Sequence, residues 1–487
     1  MNLNFSCPWT IEDLRHSIVG IDTTVPLLDG RIVPYVFLDN GASTPSFRHV
    51  LDVLNEFMEF YSGVHRGTGF KSILATHVFD EAHAIAGEFV GADPERDTVI
   101  FGKNTTEAIN KIANRCVWEP DDVVIVTLME HHSNDLPWRK YARVVHVGTD
   151  DEGYLDLDAL TRAFRQHKGH VRFLSVTGAS NITGIVNPIH DLARMAHEEG
   201  AWIFVDAAQL APHRNIDIRP HDDPGHIDFI AYSAHKMYAP FGIGVLVGKR
   251  EWFAQGNPDM VGGGVVEVVG EEYVAFSPPP AKEEAGSPNV PGAVALAAAI
   301  HVLRKAGMER IAAHEHELLT YAVPRLASVP GLHVFGPTDP EKLRGKVGVV
   351  SFGFENIHHA KVAAILSAEG GIGVRNGCFC AHPYVKRLLK ITPEEDKRLT
   401  ENVLKGDRRN IPGMVRASFG CYNNFSDVDR LVEMLHRIAR GEYIGDYELD
   451  ERSGTWWPKN FTYPFEAYFP HFSFLREPML EGYGEAS

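Results

Sequence analysis

The chain has 487 residues, 44% of them apolar and 23% charged, which excludes a small disulfide-stapled scaffold and a predominantly disordered or collagen-like chain. Its 47 basic residues stand against 64 acidic ones, a formal net charge of −17, and that field opposes contact with a phosphate backbone, so nucleic acid is not an expected partner. Five cysteines (Cys7, Cys116, Cys378, Cys380, Cys421) are too few for a disulfide framework and point to a reducing compartment.

The segment Met1 to Pro8 has neither the basic start nor the apolar run of a secretory signal. No apolar stretch approaches the ~18 residues of a membrane span, so a soluble, cytoplasmic protein without a membrane partner is expected. From about residue 95 to 250, β-rich runs alternate with helix-like segments: Asp97 to Phe101, Val123 to Leu128, Arg143 to Val147, Arg172 to Thr177, Ala201 to Val205, Ile227 to Ala231 and Gly244 to Val247. That alternation predicts an α/β fold on a largely parallel, buried sheet, with ligands gathered at the carboxyl ends of the strands.

The polar residues that follow these runs carry the chemistry. After Phe101, Asn104-Thr105-Thr106-Glu107 offers backbone N–H groups and hydroxyls at a helix start, fit for a phosphate, or a simple N-cap. Glu130-His131-His132 follows Leu128, where an imidazole can stack on a ring; a metal is the weaker alternative, since neighbouring side chains point apart and no zinc-like His/Cys spacing stands out. Asn181 follows Thr177 in what reads as a turn. Asp206 and Gln209 follow Val205, and Ser233-Ala234-His235-Lys236 follows Ala231. A carboxylate after one strand and a lysine after a later one match pyridoxal phosphate, which needs an acid at its pyridinium nitrogen and an amine for a Schiff base. Taken singly, the two are a capping Asp and a surface Lys.

Around Pro278-Pro279-Pro280 the chain is irregular, and Ala293 to Leu303 reads as a helix leaving the large domain. Beyond it, a strand is expected at Val347 to Phe352 and amphipathic helices at His359 to Glu369 and Asp427 to Ile438. Cys380 sits in a Gly-flanked segment that runs on into Ala381-His382-Pro383 and reads as a loop. Thr392-Pro393-Glu394-Glu395 has the N-cap, proline and acid of a helix start, and Gly406 can end that helix. The last stretch holds Trp456, Trp457, Phe461, Tyr463, Phe465, Tyr468, Phe469, Phe472 and Phe474; so many aromatics are expected to pack on the body or a dimer interface.

Nine stretches resemble the fold-type I pyridoxal-phosphate enzymes of aminotransferase class V, most closely the group II cysteine desulfurases and selenocysteine lyases. They are Phe37-Leu38-Asp39-Asn40-Gly41-Ala42-Ser43, Val64-His65-Arg66-Gly67, Asn104-Thr105-Thr106-Glu107, Met129-Glu130-His131-His132, Val205-Asp206-Ala207-Ala208-Gln209, Ser233-Ala234-His235-Lys236, Ala285-Gly286-Ser287-Pro288-Asn289, Val374-Arg375-Asn376-Gly377-Cys378-Phe379-Cys380 and Val415-Arg416-Ala417-Ser418. The resemblance implies a large, mainly parallel-sheet domain and a smaller α+β domain. The expected division is an N-terminal segment at 1–36 packing with the small domain, a cofactor domain at 37–305, a small domain with the cysteine loop at 306–445, and the aromatic tail at 446–487.

The resemblance also implies roles. Lys236 would carry the Schiff base, Asp206 would pair with the ring nitrogen, and His131 would stack on the ring. Gln209 and Asn181 would meet the phenolic oxygen, while Thr105, Thr106, Ser233 and His235 would hold the phosphate, with Ser287 reaching in from a second subunit of a homodimer. Arg416 would bind the substrate carboxylate, with His65 and Arg375 beside it. Cys380 would attack the sulfur of L-cysteine, leaving a persulfide and releasing L-alanine for a sulfur-acceptor protein to draw on. Two departures stand out: Cys378 and Phe379 occupy positions where similar loops carry histidines, and the helix near Thr392 and the aromatic tail are additions. A class V aminotransferase or carbon–sulfur lyase, selenocysteine lyase included, would need Lys236 but not Cys380 as nucleophile; a non-enzymatic binding protein should have lost Lys236.

Overall fold

The computed structural model describes residues 9–470; Cys7, Phe472 and Phe474 lie outside the described residues. Seven strands form one sheet in the order Asp97–Gly102, Gly244–Lys249, Phe229–Ser233, Trp202–Asp206, Val171–Thr177, Val123–Thr127, Arg143–Val147. They are the seven runs expected from the sequence, within two residues at each end. All run parallel except Gly244–Lys249, which is antiparallel to both its neighbours; the apolar pattern of a strand buried on both faces carries no direction. Alternation within Val123–Thr127 sends Val123 and Ile125 into one core and Val124 and Val126 into the other. Both faces are therefore covered, as a parallel sheet requires.

The helix expected at Ala293 to Leu303 runs longer, over Val290–Ala306, because the Asn289 side chain caps it by accepting from the Gly292 N–H at 3.0 Å. A second, antiparallel sheet has the order Leu332–Phe335, Val349–Phe354, Met414–Ser418, Arg375–Gly377. It packs against the helices Met308–Ala327, His359–Gly370 and Phe425–Ala439. The strand expected at Val347 to Phe352 is displaced by two residues, because Val347 instead donates its N–H to the Gly184 carbonyl. Val36–Phe37 pairs in parallel with Ile372–Gly373, and Asp39 bridges to Ser418. Residues 36–42 thus run from the small sheet towards the ends of the large one.

Pro393–Leu404 is a helix, with Thr392 Oγ1 accepting from Glu395 N–H at 3.2 Å and Gly406 beyond its end at φ 87°. The run through His382-Pro383 is not loop but the first turn of a helix, His382–Leu388, which proline suits because its missing N–H has no acceptor there. The tail begins as a hairpin of Tyr447–Asp450 and Thr455–Pro458. Tyr447 is buried, its hydroxyl donating to Glu369 Oε1 at 2.9 Å, and Trp456 packs against the small-sheet core. By contrast Trp457, Phe465, Tyr468 and Phe469 are exposed.

Candidate active site

The cleft lies where strands of the large sheet end. Asp206 is the last residue of its strand, and Ser233 the last of the next, followed by a single tight turn, Ala234–Lys236. The helix Thr105–Arg115 starts against them, its N-cap Asn104 accepting from Glu107 N–H. Thr105 donates its N–H to Ser233 Oγ at 2.8 Å, and the two hydroxyls are 2.7 Å apart. Thr106 Oγ1 meets Ser133 Oγ at 2.7 Å. Gly244 permits this approach: a Cβ there would stand 2.4 Å from the backbone of Asn104. The result is a cup of hydroxyls at the positive end of a helix, the chemistry a phosphate needs.

Lys236 is only partly exposed, and burial pulls its amine down to about 8 against the pull of Asp206. Its Nζ reaches Gln209 Oε1 at 3.5 Å. Asp206 is buried too; its Oδ1 accepts from Ala208 N–H at 2.9 Å, and burial pushes its carboxyl above the usual range. Gln209 Nε2 lies 3.2 Å from His213 Nε2, and His213 Nδ1 lies 2.5 Å from Glu315. The Glu315 carboxylate fixes the His213 proton on Nδ1, so Nε2 accepts from the Gln209 amide, whose oxygen then faces Lys236. His131 is held by Ser133, whose N–H donates to Nδ1 at 3.2 Å, and burial, with Lys236 next, lowers its pKa to about 3. A neutral ring is what stacking on an aromatic cofactor calls for.

The opposite wall comes from the small sheet. Asp39 bridges two guanidiniums, at 3.3 Å to Arg416 Nη2 and 2.7 Å to Arg375 Nη2. Arg416 is wholly buried, donates to the Asn181 carbonyl at 3.1 Å and lies over the Phe379 ring at 5.0 Å; burial lowers its pKa to about 10. The Asn181 amide donates to the Phe379 carbonyl at 2.9 Å, so it holds the cysteine loop. Phe379 and Cys380 sit in left-handed backbone at φ 49° and 56°, and Cys380 is exposed in the cleft. Cys378 turns the other way: its buried thiol donates to the Pro412 carbonyl at 2.9 Å, and burial pushes it up to about 11.

Of the residues singled out in the sequence, Thr105, Thr106, His131, Asn181, Asp206 and Gln209 line one cleft of about 330 Å³ together with Ser233, His235, Lys236, Arg375, Cys380 and Arg416. Two do not join them. His65 is exposed, donating its N–H to Thr76 Oγ1 at 2.8 Å with its ring edge-on to Phe79, and Ser287 is exposed in the turn before Val290–Ala306. Sequence reasoning missed Asp39 as the clamp between the arginines, and it missed the His132 and His382 rings, 4.6 Å apart beside the Cys380 loop. The Glu130-His131-His132 run had flagged His132 only as a neighbour; the approach of His382, 250 positions away, has no local signal.

The profile of the aminotransferase class-V family matches residues 36–431, which include both walls of the cleft. The chain belongs to this family. Among class-V relatives, a probable cysteine desulfurase of Streptomyces coelicolor is 38% identical over 429 residues, covering 85% of this chain and 95% of the relative. A cysteine desulfurase of Haloferax volcanii is 35% identical over 451 residues, covering 89% and 98%. Two solved structures share the fold with a TM-score of 0.73. The apo cysteine desulfurase of Thermococcus onnurineus is 32% identical, covering 84% of this chain and 95% of its own. An Escherichia coli cysteine desulfurase in an S-sulfonic acid form is 28% identical, covering 90% and 100%. The class-V match stops before the tail hairpin at 447–458.

Proposed function

We propose that this class-V protein is a pyridoxal-phosphate-dependent cysteine desulfurase, which moves the sulfur of L-cysteine onto Cys380 and releases L-alanine. The observation that carries the reading is the placing of the Cys380 thiol in the same cleft as Lys236 and Arg416, since an aminotransferase or carbon–sulfur lyase has no use for a thiol there. The cofactor fits the residues present. Asp206 keeps a buried carboxylate with one oxygen engaged by a backbone N–H, Lys236 offers a buried amine of lowered pKa, and Thr105, Thr106, Ser233 and His235 surround the helix start. Bound there, pyridoxal phosphate supplies an electron sink for bonds at the substrate Cα.

The protein residues do the rest. Arg416, with Arg375, binds the substrate carboxylate in exchange for part of its contact with Asp39, and orients the amino acid. Lys236 Nζ takes the proton from Cα and returns one to the product. Cys380 Sγ attacks the substrate sulfur; the S–S bond forms as the C–S bond breaks, and the electron pair left on the substrate Cβ is taken up by a proton, giving alanine and a persulfide. His131 covers the ring, and Asn181 holds the Phe379-Cys380 backbone in place.

Three further readings go with this one. The exposed Ser287, outside its own cleft, supports a homodimer in which it reaches the neighbour's phosphate site. The exposed Cys380 supports transfer of the persulfide sulfur to an acceptor protein. A cytoplasmic location follows from a thiol that must stay reduced; no helix among the described residues is long and apolar enough to cross a membrane. The decisive experiment is to incubate the holoenzyme and its Cys380→Ala variant with L-cysteine and excess dithiothreitol, which reduces the persulfide and releases its outer sulfur as sulfide, and to measure alanine and sulfide together. Equal yields from the parent and none from the variant are expected. Undiminished alanine from Cys380→Ala would reassign the protein as a class-V lyase or aminotransferase.

A further inference from the structure

At the opposite end of the large sheet from the cleft, where the strand beginning with Asp97 starts, the loop between Trp202–Asp206 and Phe229–Ser233 folds back on itself. Ile227 donates its N–H to the Ile218 carbonyl at 2.9 Å, and Ile218 donates to Val90 at 2.8 Å, which fixes both ends of the intervening turn. This closure lays the His221 and His226 rings against each other, 4.2 Å apart. His221 Nε2 lies 2.9 Å from Asp97 Oδ1, while the other Asp97 oxygen accepts from Asp93 N–H. One ligand-capable atom from each of Asp97, His221 and His226 lies within 4.8 Å of the other two.

The second observation concerns His226 alone. It is 1% exposed, and its Nδ1 faces the carbonyls of Ile218 and Arg219, so Nδ1 carries the proton. That leaves Nε2 as a buried lone pair with no hydrogen-bond partner. A buried acceptor without a donor is destabilising unless something fills the role. A side chain held in this way by its second nitrogen is how imidazole metal ligands are oriented.

We propose that Asp97, His221 and His226 form a binding site for a divalent transition-metal ion of the zinc class, separate from the active cleft. Two imidazoles and one carboxylate are a three-ligand zinc set, and the two histidines, with four residues between them, fall within the spacing of paired histidine ligands. The metal replaces the proton between His221 Nε2 and Asp97 Oδ1, and His226 Nε2 supplies the third bond. The fourth position opens on a cleft of about 370 Å³ whose rim carries Asp222 and Asp223, leaving room for a water. The Asp228 carboxylate nearby is already paired with His197 and Lys249. The ion clips the loop to the start of an outer strand, so its role is to hold the sheet rather than to react. The sequence conceals the site because Asp97 is 124 positions from His221.

The test uses the full-length holoenzyme carrying Cys380→Ser, which removes the exposed thiol as a competing ligand. After dialysis against chelator, Zn²⁺ is added, free metal is removed by gel filtration, and bound zinc is measured by elemental analysis. One zinc per chain is expected, with a melting temperature raised by roughly 4 °C or more in excess zinc. His226→Asn should lose the bound zinc, and His197→Asn should keep it. Absence of bound zinc from the parent, or the same zinc content in His226→Asn, overturns the proposal. Should His226→Asn fail to fold, Co²⁺ in the Cys380→Ser protein decides: visible d–d absorption without a sulfur-to-cobalt charge-transfer band supports the site, and a charge-transfer band or no absorption overturns it.

Discussion

The backbone N–H of His132 donates to the carbonyl oxygen of Cys380 at 2.7 Å. This bond ties the loop that carries the thiol to the segment that carries His131, so the two walls of the cleft are set against each other by main chain as well as by side chains. Two consecutive non-glycine residues in left-handed backbone, Phe379 and Cys380, cost of order 1–3 kcal/mol each and persist only where surrounding bonds hold them. Asn181 is the side chain that holds Phe379. Asn181→Ala should therefore slow alanine formation from L-cysteine by about tenfold or more while leaving the absorbance of the bound cofactor in place. Steady-state kinetics beside a visible spectrum check both halves.

Cys378→Ala should behave differently despite lying two residues from Cys380. Its thiol is buried against the Pro412 carbonyl and pushed up to about 11, so it is neither ionised nor turned towards the cleft. The variant should lose about 1 kcal/mol of stability, from one hydrogen bond and a small cavity, and keep near-parental turnover. A drop in turnover as deep as that of Cys380→Ala would assign Cys378 a part in sulfur transfer.

Capture of pyridoxal phosphate by the apoenzyme should follow the ionisation of Lys236. Burial brings the amine down to about 8, and only the neutral amine attacks an aldehyde, so the rate should climb as pH rises through that value. An increase of about tenfold between pH 7 and pH 9, levelling above, is expected. Stopped-flow absorbance on apoenzyme gives the profile; a rate still climbing as steeply near pH 10 would mean that burial does not control this amine.

Arg416→Ala should raise KM for L-cysteine by roughly tenfold to a hundredfold, the equivalent of a charge-assisted bidentate contact of about 1.5–3 kcal/mol. It also leaves Asp39 with Arg375 as its remaining ion-pair partner. Arg375→Ala should raise KM less, because that side chain is half exposed and Arg416 is buried. The reverse order of the two effects would exchange their roles.

Truncation after Gly445 removes the Tyr447 hydroxyl from Glu369 and strips Trp456 from the small-sheet core. The loss should be about 2–4 kcal/mol, seen as a melting temperature several degrees lower. Truncation after Lys459, which keeps the hairpin and removes the exposed aromatics Phe465, Tyr468 and Phe469, should change stability little and improve solubility. Equal melting of all three proteins would make the hairpin a dispensable arm.

The sequence by itself determined the strands of the large sheet and the polar residues at their ends, because both are local. A strand buried on both faces is a continuous apolar run, and Asp206, Lys236 and the Thr105 helix start each follow such a run directly. The Thr392 cap and the helix it opens were equally legible, for an N-cap threonine followed by proline and an acid is written in four neighbouring residues. The antiparallel direction of Gly244–Lys249 was not legible, since apolarity does not encode polarity of the chain. Nor were the contacts between distant segments: Asp39 between Arg375 and Arg416, His132 beside His382, Asp97 beside His221, and the opposite fates of Cys378 and Cys380. Each of these depends on which way a side chain points once two sheets have packed. Only the tertiary structure decides that, because the burial that orients a cysteine or lowers a lysine's pKa is a property of everything folded around it.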